Sequence, residues 1–132
     1  MIEVAIGLIW HDGHLLITRR PPDVHLPSLW EFPGGKCEPG ESGAQCLVRE
    51  VVEELGIRIA VGSEREVIEF TYPDRHVRLA VYDCRWLSGE PEARGCAEWR
   101  WVAPADLGEY EFPPANAGLI ADLQASGVRR QT

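Results

Sequence analysis

The sequence lacks any hydrophobic run of the roughly 20 residues that a membrane-spanning helix requires. It also lacks a cationic segment at its start, and Glu3 interrupts the first apolar residues, so no signal peptide is predicted. Basic residues are few: the chain has 13 Lys and Arg but 21 Asp and Glu, which gives a formal net charge of -8. A protein that binds a phosphate backbone normally has the opposite balance. We therefore expect a cytoplasmic protein whose partners include neither a nucleic-acid polymer nor a membrane.

Cysteine pairs with metal-binding spacing are also absent. No C-x-x-C pair and no paired His ligands accompany the four cysteines, Cys37, Cys46, Cys84 and Cys96. In a reducing compartment, this favours four free thiols. The composition, 45% hydrophobic and 26% charged, is ordinary for a globular protein, and no linker, repeat or low-complexity tract divides the chain. One domain over residues 1–132 is predicted.

Local patterns predict a mixture of strands and helices. Five strands are predicted, over residues 2–10, 15–18, 67–72, 77–86 and 98–102. Residues 19–33 carry four prolines and are predicted to form a loop, and 116–125 to form a closing helix. Because strands and helices do not alternate strictly, the pattern predicts an α/β fold with a mixed sheet and helices on both faces.

The clearest predicted element is a helix between Ser42 and Gly56. Ser42 and Gln45 have the spacing of a capping box, and Gly56 is a typical C-terminal cap. One broad apolar face is predicted, formed by Ala44, Leu47, Val48, Val51, Val52 and Leu55.

On the opposite side of this helix, Glu50, Glu53 and Glu54 fall within an arc of about 100°. Acidic helix faces of this kind are usually only solvated. Here, however, the turn-rich segments Gly34-Gly35-Lys36 and Pro39-Gly40-Glu41 bring main chain back over the helix. Carboxylates beside main-chain carbonyls are the hard oxygen ligands of Mg²⁺ or Mn²⁺, so a phosphate-handling metal site is predicted.

A specific motif spans this region. From Gly35 the sequence reads G, five residues, Glu41, seven residues, and then R-E-V-V-E-E-L-G-I over 49–57. It matches every fixed position of the Nudix box, G-x5-E-x7-R-E-U-x-E-E-x-G-U, where U is a bulky aliphatic residue, so the chain resembles Nudix hydrolases. The resemblance implies an α/β/α sandwich that hydrolyses a nucleoside diphosphate linked to another group, with a divalent metal.

Segments outside the box resemble the MutT-type 8-oxo-dGTP diphosphatases of this family. They are T-R-R at 18–20, L-W-E-F-P-G-G-K at 29–36, P-D-R-H at 73–76, E-W at 98–99 and F-P-P-A-N at 112–116. The resemblance implies a monomer that hydrolyses 8-oxo-dGTP to the monophosphate and pyrophosphate with Mg²⁺, with Mn²⁺ as the alternative metal. Some of these segments also occur in pyrophosphatases acting on CTP or modified dCTP, which stay as an alternative. A non-catalytic binding module is a further alternative, although such modules usually lose the box carboxylates.

The resemblance also implies residue roles. The implied metal ligands and their supports are Gly34, Glu41, Glu50, Glu53 and Glu54. Glu53 and Glu54 bind the metal with the Gly34 carbonyl, and Glu50 is the candidate general base. Arg49 orients Glu53, and Glu41 supports the loop from behind. MutT-type enzymes often carry a further acid where this chain has Arg94, so Glu92 or Glu98 replaces it or one metal lacks that ligand.

The implied substrate contacts are Arg20, His25, Glu31, Phe32, Pro33, Gly34, Arg75 and Asn116. Asn116 is the most informative, because oxidation of guanine at C8 puts a proton on N7. An Asn amide can donate to O6 and accept from that N7–H, whereas plain guanine presents a second acceptor at N7. The alternative role for Asn116 is an ordinary helix N-cap after Pro113-Pro114.

Overall fold

The computed structural model describes residues 1–24 and 27–130, which form seven strands and two α-helices. The strands are β1 (Ile2–His11), β2 (His14–Arg19), β3 (Trp30–Glu31), β4 (Gly34–Lys36), β5 (Arg58–Tyr72), β6 (Arg75–Ser88) and β7 (Glu98–Val102). The helices are α1 (Gly43–Leu55) and α2 (Ala117–Arg130), and two 3₁₀ turns cover Pro104–Glu109 and Pro114–Asn116.

The strands form one mixed sheet in the order β3-β2-β1-β6-β5, with β4 added on β1 and β7 on β2. β1 runs parallel to β6, and their register extends from Ile2 opposite Val77 to Trp10 opposite Arg85. All the other neighbouring strands in this sheet order are antiparallel. β1 therefore contacts β4 near its start and β2 near its end, which places β4 directly beside the first residues of the chain.

Two hydrophobic cores lie on opposite faces of the sheet. Ile6 and Leu8 of β1 contribute to the core that is closed by Leu119 and Leu123 of α2. Ala5 and Ile9 contribute to the core under α1, since successive side chains of a strand point to opposite faces. This confirms the predicted α/β/α sandwich with a mixed sheet between helices.

The caps of α1 are as predicted. The Ser42 side chain accepts from the Gln45 N–H at 3.1 Å, and Gly56 takes a left-handed φ of 70°. The apolar face is narrower than predicted, however, because Val48 and Val52 are 40% and 37% exposed. The sheet covers only the stripe of Cys46, Leu47, Val51 and Leu55.

Other boundaries differ where pairing partners are distant in sequence. β5 begins at Arg58 rather than 67, because register shifts around Glu64 and Glu66 break the alternation that would have indicated its first half. β3 and β4 arise within and after the proline-rich segment because β2 and β1 pair with them. Asn116 belongs to the 3₁₀ turn before α2 rather than to the helix.

The prediction of four free thiols is wrong for two of them. Cys37 and Cys46 are joined by a disulfide, with their Cα atoms 5.1 Å apart, whereas Cys84 and Cys96 are free. Cys37 follows β4 and Cys46 lies in the first turn of α1, which packs against β4, so tertiary packing rather than sequence spacing pairs them.

No helix among the described residues is long and apolar enough to cross a membrane.

Candidate active site

One arginine connects the β4–α1 loop to the acidic face of α1. Arg49 donates from Nε and Nη2 to the two carboxylate oxygens of Glu41, at 2.6 and 2.9 Å. Its Nη1 donates to Glu50 at 3.0 Å and to Glu53 at 3.1 Å, and Nη2 also reaches the Lys36 carbonyl at 3.1 Å. The predicted contact between Arg49 and Glu53 is thus present within a larger network.

Hydrogen bonding within this network and burial shift the pKa values of its members. The hydrogen bonds that Arg49 donates to Glu41 lower the pKa of Glu41 to about 2, and the same hydrogen bonds raise the pKa of the Arg49 guanidinium. Burial raises the pKa of Glu50, with Arg49 opposing the effect. Glu41 therefore stays ionised across the physiological range, which is what a permanent partner for Arg49 requires.

Two glycines let the main chain of β4 approach this helix and β1. Gly34 has a φ of 152°, and a Cβ there would collide with the main chain of Ala5 and Ile6. A Cβ on Gly35 would overlap the carboxylate of Glu50. The two glycines of the sequence motif are therefore required by close contacts, and Gly35 in particular leaves the space that Glu50 occupies.

Glu54 differs from its neighbours on α1. Its Oε1 is buried and has no hydrogen-bond partner among the residues that the structure describes, while the Gly34 N–H is hydrogen-bonded to the carboxylate. Burial, with help from the negative charges of Glu31 and Glu50, raises the pKa of Glu54 to about 8. A buried carboxylate oxygen without a donor is stabilised by a bound cation.

The acidic side chains near Glu54 offer oxygen ligands for a divalent metal. No three His, Cys, Asp or Glu side chains of residues 1–24 and 27–130 converge into a preformed cage. Glu50 and Glu53 instead point to Arg49, and Glu54 presents its unpartnered oxygen. An oxygen-only set with one orphaned carboxylate suits Mg²⁺, which is held by a few carboxylates together with substrate phosphates.

Beside Glu54 lies a cavity of about 350 Å³, bordered by β1, β5, β6 and the turn before α2. Its polar lining consists of Arg20, Glu31, Lys36, Glu54, Arg75 and Asn116. Apolar side chains form most of the remaining wall, among them Val4, Ile6, Phe32, Ile68, Phe70 and Leu79. Such a lining, apolar with a few polar groups, is typical of a small-molecule site.

Asn116 is 6% exposed and lies in the wall of this cavity. Its main-chain N–H donates to the Pro113 carbonyl at 3.0 Å. Among the described residues its side chain has no hydrogen-bond partner and caps no helix. The amide is therefore available to a ligand.

Arg20 and Glu31 form an ion pair inside the cavity. Arg20 Nη1 donates to both Glu31 oxygens, at 3.1 and 3.2 Å. Burial raises the pKa of Glu31, and Arg20 opposes this effect. In this structure the Glu31 carboxylate is therefore occupied by Arg20 rather than being an isolated hydrogen-bond acceptor for a substrate.

The remaining predicted substrate contacts are distributed as follows. Phe32 is buried, lines the cavity and packs at 5.2 Å against Phe112. Arg75 also lines it and pairs with Asp74 at 3.2 Å. Pro33 is buried outside the lining, and its carbonyl accepts from the Gly7 N–H at 2.9 Å. His25 lies outside the described residues.

Sequence reasoning missed the cavity wall formed by the β5–β6 hairpin. Ile68, Phe70 and Tyr72 face the cavity from β5, and Val77 and Leu79 face it from β6. Their spacing of two residues is the available signal, but it is equally typical of core-facing strand residues.

The loop before β7 is held against the C-terminal end of α1. The N–H groups of Arg94 and Gly95 donate to the Glu54 carbonyl at 3.0 and 3.1 Å. The two acids that could replace a loop ligand have other partners, since Glu92 pairs with Arg94 at 3.0 Å and Glu98 with Arg19 at 3.0 Å.

The sandwich places an acidic helix beside a cavity whose lining is typical of a small-molecule site. A family model described as a NUDIX domain matches residues 5–122, and the chain belongs to the Nudix hydrolases. It is 38% identical to the 8-oxo-dGTP diphosphatase of Escherichia coli K12 over 124 residues, which cover 93% of this chain and 96% of that protein.

Two further relatives extend the comparison. The CTP pyrophosphohydrolase of Escherichia coli K12 is 35% identical over 130 residues, covering 98% of this chain and 96% of the relative. A MutT structure from work on Aliivibrio salmonicida and Vibrio cholerae superimposes with a TM-score of 0.78 at 32% identity, covering 94% and 96% of the two chains. The predicted family and its MutT-type resemblance are confirmed.

Proposed function

We propose that this protein hydrolyses 8-oxo-dGTP to 8-oxo-dGMP and pyrophosphate, which removes an oxidised precursor from the nucleotide pool. The observation that carries the proposal is the buried amide of Asn116 in the wall of the cavity, which has no hydrogen-bond partner within residues 1–24 and 27–130. The similarity to an 8-oxo-dGTP diphosphatase over 93% of the chain supports it.

The specificity follows from the hydrogen-bonding pattern of the base. The Asn116 NH₂ would donate to O6, and its carbonyl oxygen would accept the proton that oxidation places on N7. With unmodified guanine, that carbonyl oxygen would face the N7 lone pair, and both acceptors would be desolvated without a donor. A site built around such a hydrogen bond can reject the analogue that lacks it by large factors.

The phosphates would extend from this base site toward Glu54 and the cations of the cavity. Arg20, Lys36 and Arg75 all line the cavity and carry the positive charge that a triphosphate requires. His25 is proposed as a further contact, and Phe32, Pro33 and Glu31 as the wall near the base. The net charge of -8 disfavours binding to a polynucleotide, so the free nucleotide is the proposed substrate. The protein is proposed to act as a monomer in the cytoplasm.

Glu53, Glu54 and the Gly34 carbonyl are proposed to hold Mg²⁺, or Mn²⁺, together with Glu50. The ion would neutralise phosphate charge and lower the pKa of the attacking water. Glu50 is proposed as the general base, since burial raises the pKa of its carboxyl toward the range in which it can accept a proton. Arg49 and Glu41 position Glu50 and Glu53 without touching the substrate.

The test is a set of parallel kcat/KM measurements with Mg²⁺ on 8-oxo-dGTP, dGTP, CTP and dCTP, with identification of the phosphate product. We expect a strong preference for 8-oxo-dGTP and release of pyrophosphate. Equal rates on all four nucleotides would contradict the role of Asn116 while leaving the hydrolase chemistry intact.

The second candidate function is hydrolysis of CTP or a modified dCTP. It is favoured by the 35% identity to a CTP pyrophosphohydrolase over 98% of the chain. A preference for the cytosine nucleotides in the same measurement would support this candidate.

A further inference from the structure

The disulfide closes the loop that carries Glu41. Cys37 lies directly after β4 and Cys46 lies in the first turn of α1, so the bond ties the two ends of segment 37–46 together. The same segment contains the capping box of Ser42 and Gln45. A crosslink across so short a loop restricts the conformations of everything between its ends.

Glu41 is the loop residue that acts on the acidic helix. It accepts two hydrogen bonds from Arg49, which in turn donates to Glu50 and Glu53. The carbonyl that precedes Cys37, that of Lys36, accepts from the same guanidinium at 3.1 Å. The position of the loop therefore determines where Arg49 holds the two carboxylates.

The two sulfur atoms differ in their access to solvent. Cys46 is fully buried, whereas Cys37 is partly exposed. Cys37 also lines a second cavity of about 550 Å³, together with Glu38, Arg78 and Tyr82. An external thiol or disulfide can therefore reach Cys37 first.

We propose that the Cys37–Cys46 pair is a redox-sensitive clasp for the carboxylate site: the disulfide holds Glu41 against Arg49, and reduction releases the loop and weakens cation binding. The inference deepens the proposed function, and its coupling to cation binding rests on it. It makes the affinity of the site for its metal dependent on the thiol–disulfide balance of the surroundings.

The chemistry is thiol–disulfide exchange with a low-molecular-weight disulfide. The Cys37 thiolate attacks that reagent, forms a mixed disulfide and releases one thiolate. The Cys46 thiol passes its proton to the thiolate released in the first step, attacks Cys37 Sγ and expels the second thiolate. The two cysteines lose two electrons and the reagent gains two, so a dithiol and a disulfide exchange oxidation states. A small thiol reverses both steps.

Other contacts of the loop do not involve the two sulfur atoms. The capping box joins Ser42 and Gln45, and the Cys37 N–H donates to the Glu3 carbonyl at 2.9 Å. We therefore expect the reduced protein to stay folded and to change locally rather than globally.

The first measurements use the whole chain without added metal. Denatured but unreduced protein should react with a thiol reagent at two cysteines, Cys84 and Cys96, and at all four after reduction. Amide hydrogen exchange within 37–46 and at Arg49 should become faster on reduction, while exchange in β1 and β6 should not change. The clasp would be overturned if protein purified without reductant already had four reactive thiols. It would also be overturned if amide hydrogen exchange were unchanged after reduction.

The second measurement is Mn²⁺ affinity of the oxidised and reduced forms, from titration followed by electron paramagnetic resonance. We expect the reduced form to bind about tenfold more weakly, the scale seen when support for a metal ligand is lost. Equal affinities would overturn the coupling alone. Absence of Mn²⁺ binding in both forms would contradict the proposed function as well, so the two failures are distinguishable.

Matched variants separate the pair from other thiols. Cys37→Ser should bind Mn²⁺ like the reduced form and should not respond to a reductant. Cys84→Ala removes a buried free thiol of the same core, which forms no disulfide, and should keep the full response. A response in Cys37→Ser equal to that of the unsubstituted chain would show that another group carries the redox effect and would overturn the proposal.

Discussion

The guanidinium of Arg49 holds both carboxylate oxygens of Glu41, from Nε at 2.6 Å and from Nη2 at 2.9 Å. Its third nitrogen reaches Glu50 and Glu53, so one cation orders three acids of the loop and the helix. A planar guanidinium can do this because its five N–H groups point in fixed directions.

Arg49→Lys should therefore disrupt the site although the charge is kept. An ammonium group cannot bind Glu41 through two parallel hydrogen bonds and also reach Glu50 and Glu53. We expect kcat/KM to fall about 10- to 100-fold with the melting temperature little changed. Arg65→Lys, whose arginine pairs with Asp83 at 3.2 Å, is the matched control and should keep its activity. Full activity in Arg49→Lys would contradict the positioning role.

Glu53→Gln tests the metal assignment at an exposed position. The Glu53 side chain is 59% exposed, so its replacement should leave folding intact. Loss of one anionic ligand should reduce kcat by at least about 100-fold. Glu109→Gln, an exposed acid in the 3₁₀ turn after β7, serves as control. Unchanged turnover in Glu53→Gln would remove this residue from the metal site.

Glu54→Gln should stabilise the metal-free protein while it abolishes activity. The folded state raises the pKa of Glu54 from 4.5 to about 8, so the folded protein binds the proton more tightly than the unfolded chain. The contribution of the Glu54 carboxyl to the free energy of unfolding is therefore greatest below pH 4.5. This contribution is lost as the pH rises toward about 8. The neutral amide removes this loss, worth roughly 1–3 kcal/mol at pH 8.

Thermal unfolding of both proteins without metal, at pH 5 and pH 8, measures this effect. The stabilisation by Glu54→Gln should be present at pH 8 and small at pH 5. Adding Mg²⁺ should stabilise the unsubstituted chain more than the variant. Equal melting temperatures at pH 8 would mean that the Glu54 carboxyl is solvated rather than buried.

Asn116→Ala should remove the discrimination between oxidised and unoxidised guanine. The kcat/KM for 8-oxo-dGTP should fall by roughly 100-fold, because two hydrogen bonds to the base are lost. The kcat/KM for dGTP should change little, because the substitution also removes the unfavourable contact between the Asn116 carbonyl oxygen and N7 of unmodified guanine. An unchanged ratio of the two values would assign Asn116 a purely structural role.

Gly35→Ala tests the close contact between β4 and Glu50. The added Cβ would overlap the Glu50 carboxylate, so we expect a large loss of kcat and a displaced base. Gly118→Ala is the matched control, because no atom lies within 4 Å of the Cβ position in α2. That helix substitution should be neutral for activity and stabilising by about 0.5–1 kcal/mol. Equal activities of the two variants would contradict the contact.

Local patterns determined much of this fold. The bounds of β7 and both caps of α1 are as predicted, because caps and short alternating runs depend on neighbouring residues alone. β4 and the first half of β5 were missed because a three-residue strand and a bulged, charged strand have no local signature. They form only because β1 and β6 supply their hydrogen-bonding partners.

The same division holds for the site. The sequence by itself determined the family and the acidic face of α1, since helical periodicity places Glu50, Glu53 and Glu54 together without any other element. Tertiary structure alone decided that Glu54 is buried and unpartnered, that the Asn116 amide lies in the cavity wall, and that Cys37 meets Cys46. The first and the last depend on the packing of β4 against α1, and the position of Asn116 depends on the turn before α2. Desolvation and sulfur–sulfur contact are properties of distance in space, which residue spacing along the chain does not encode.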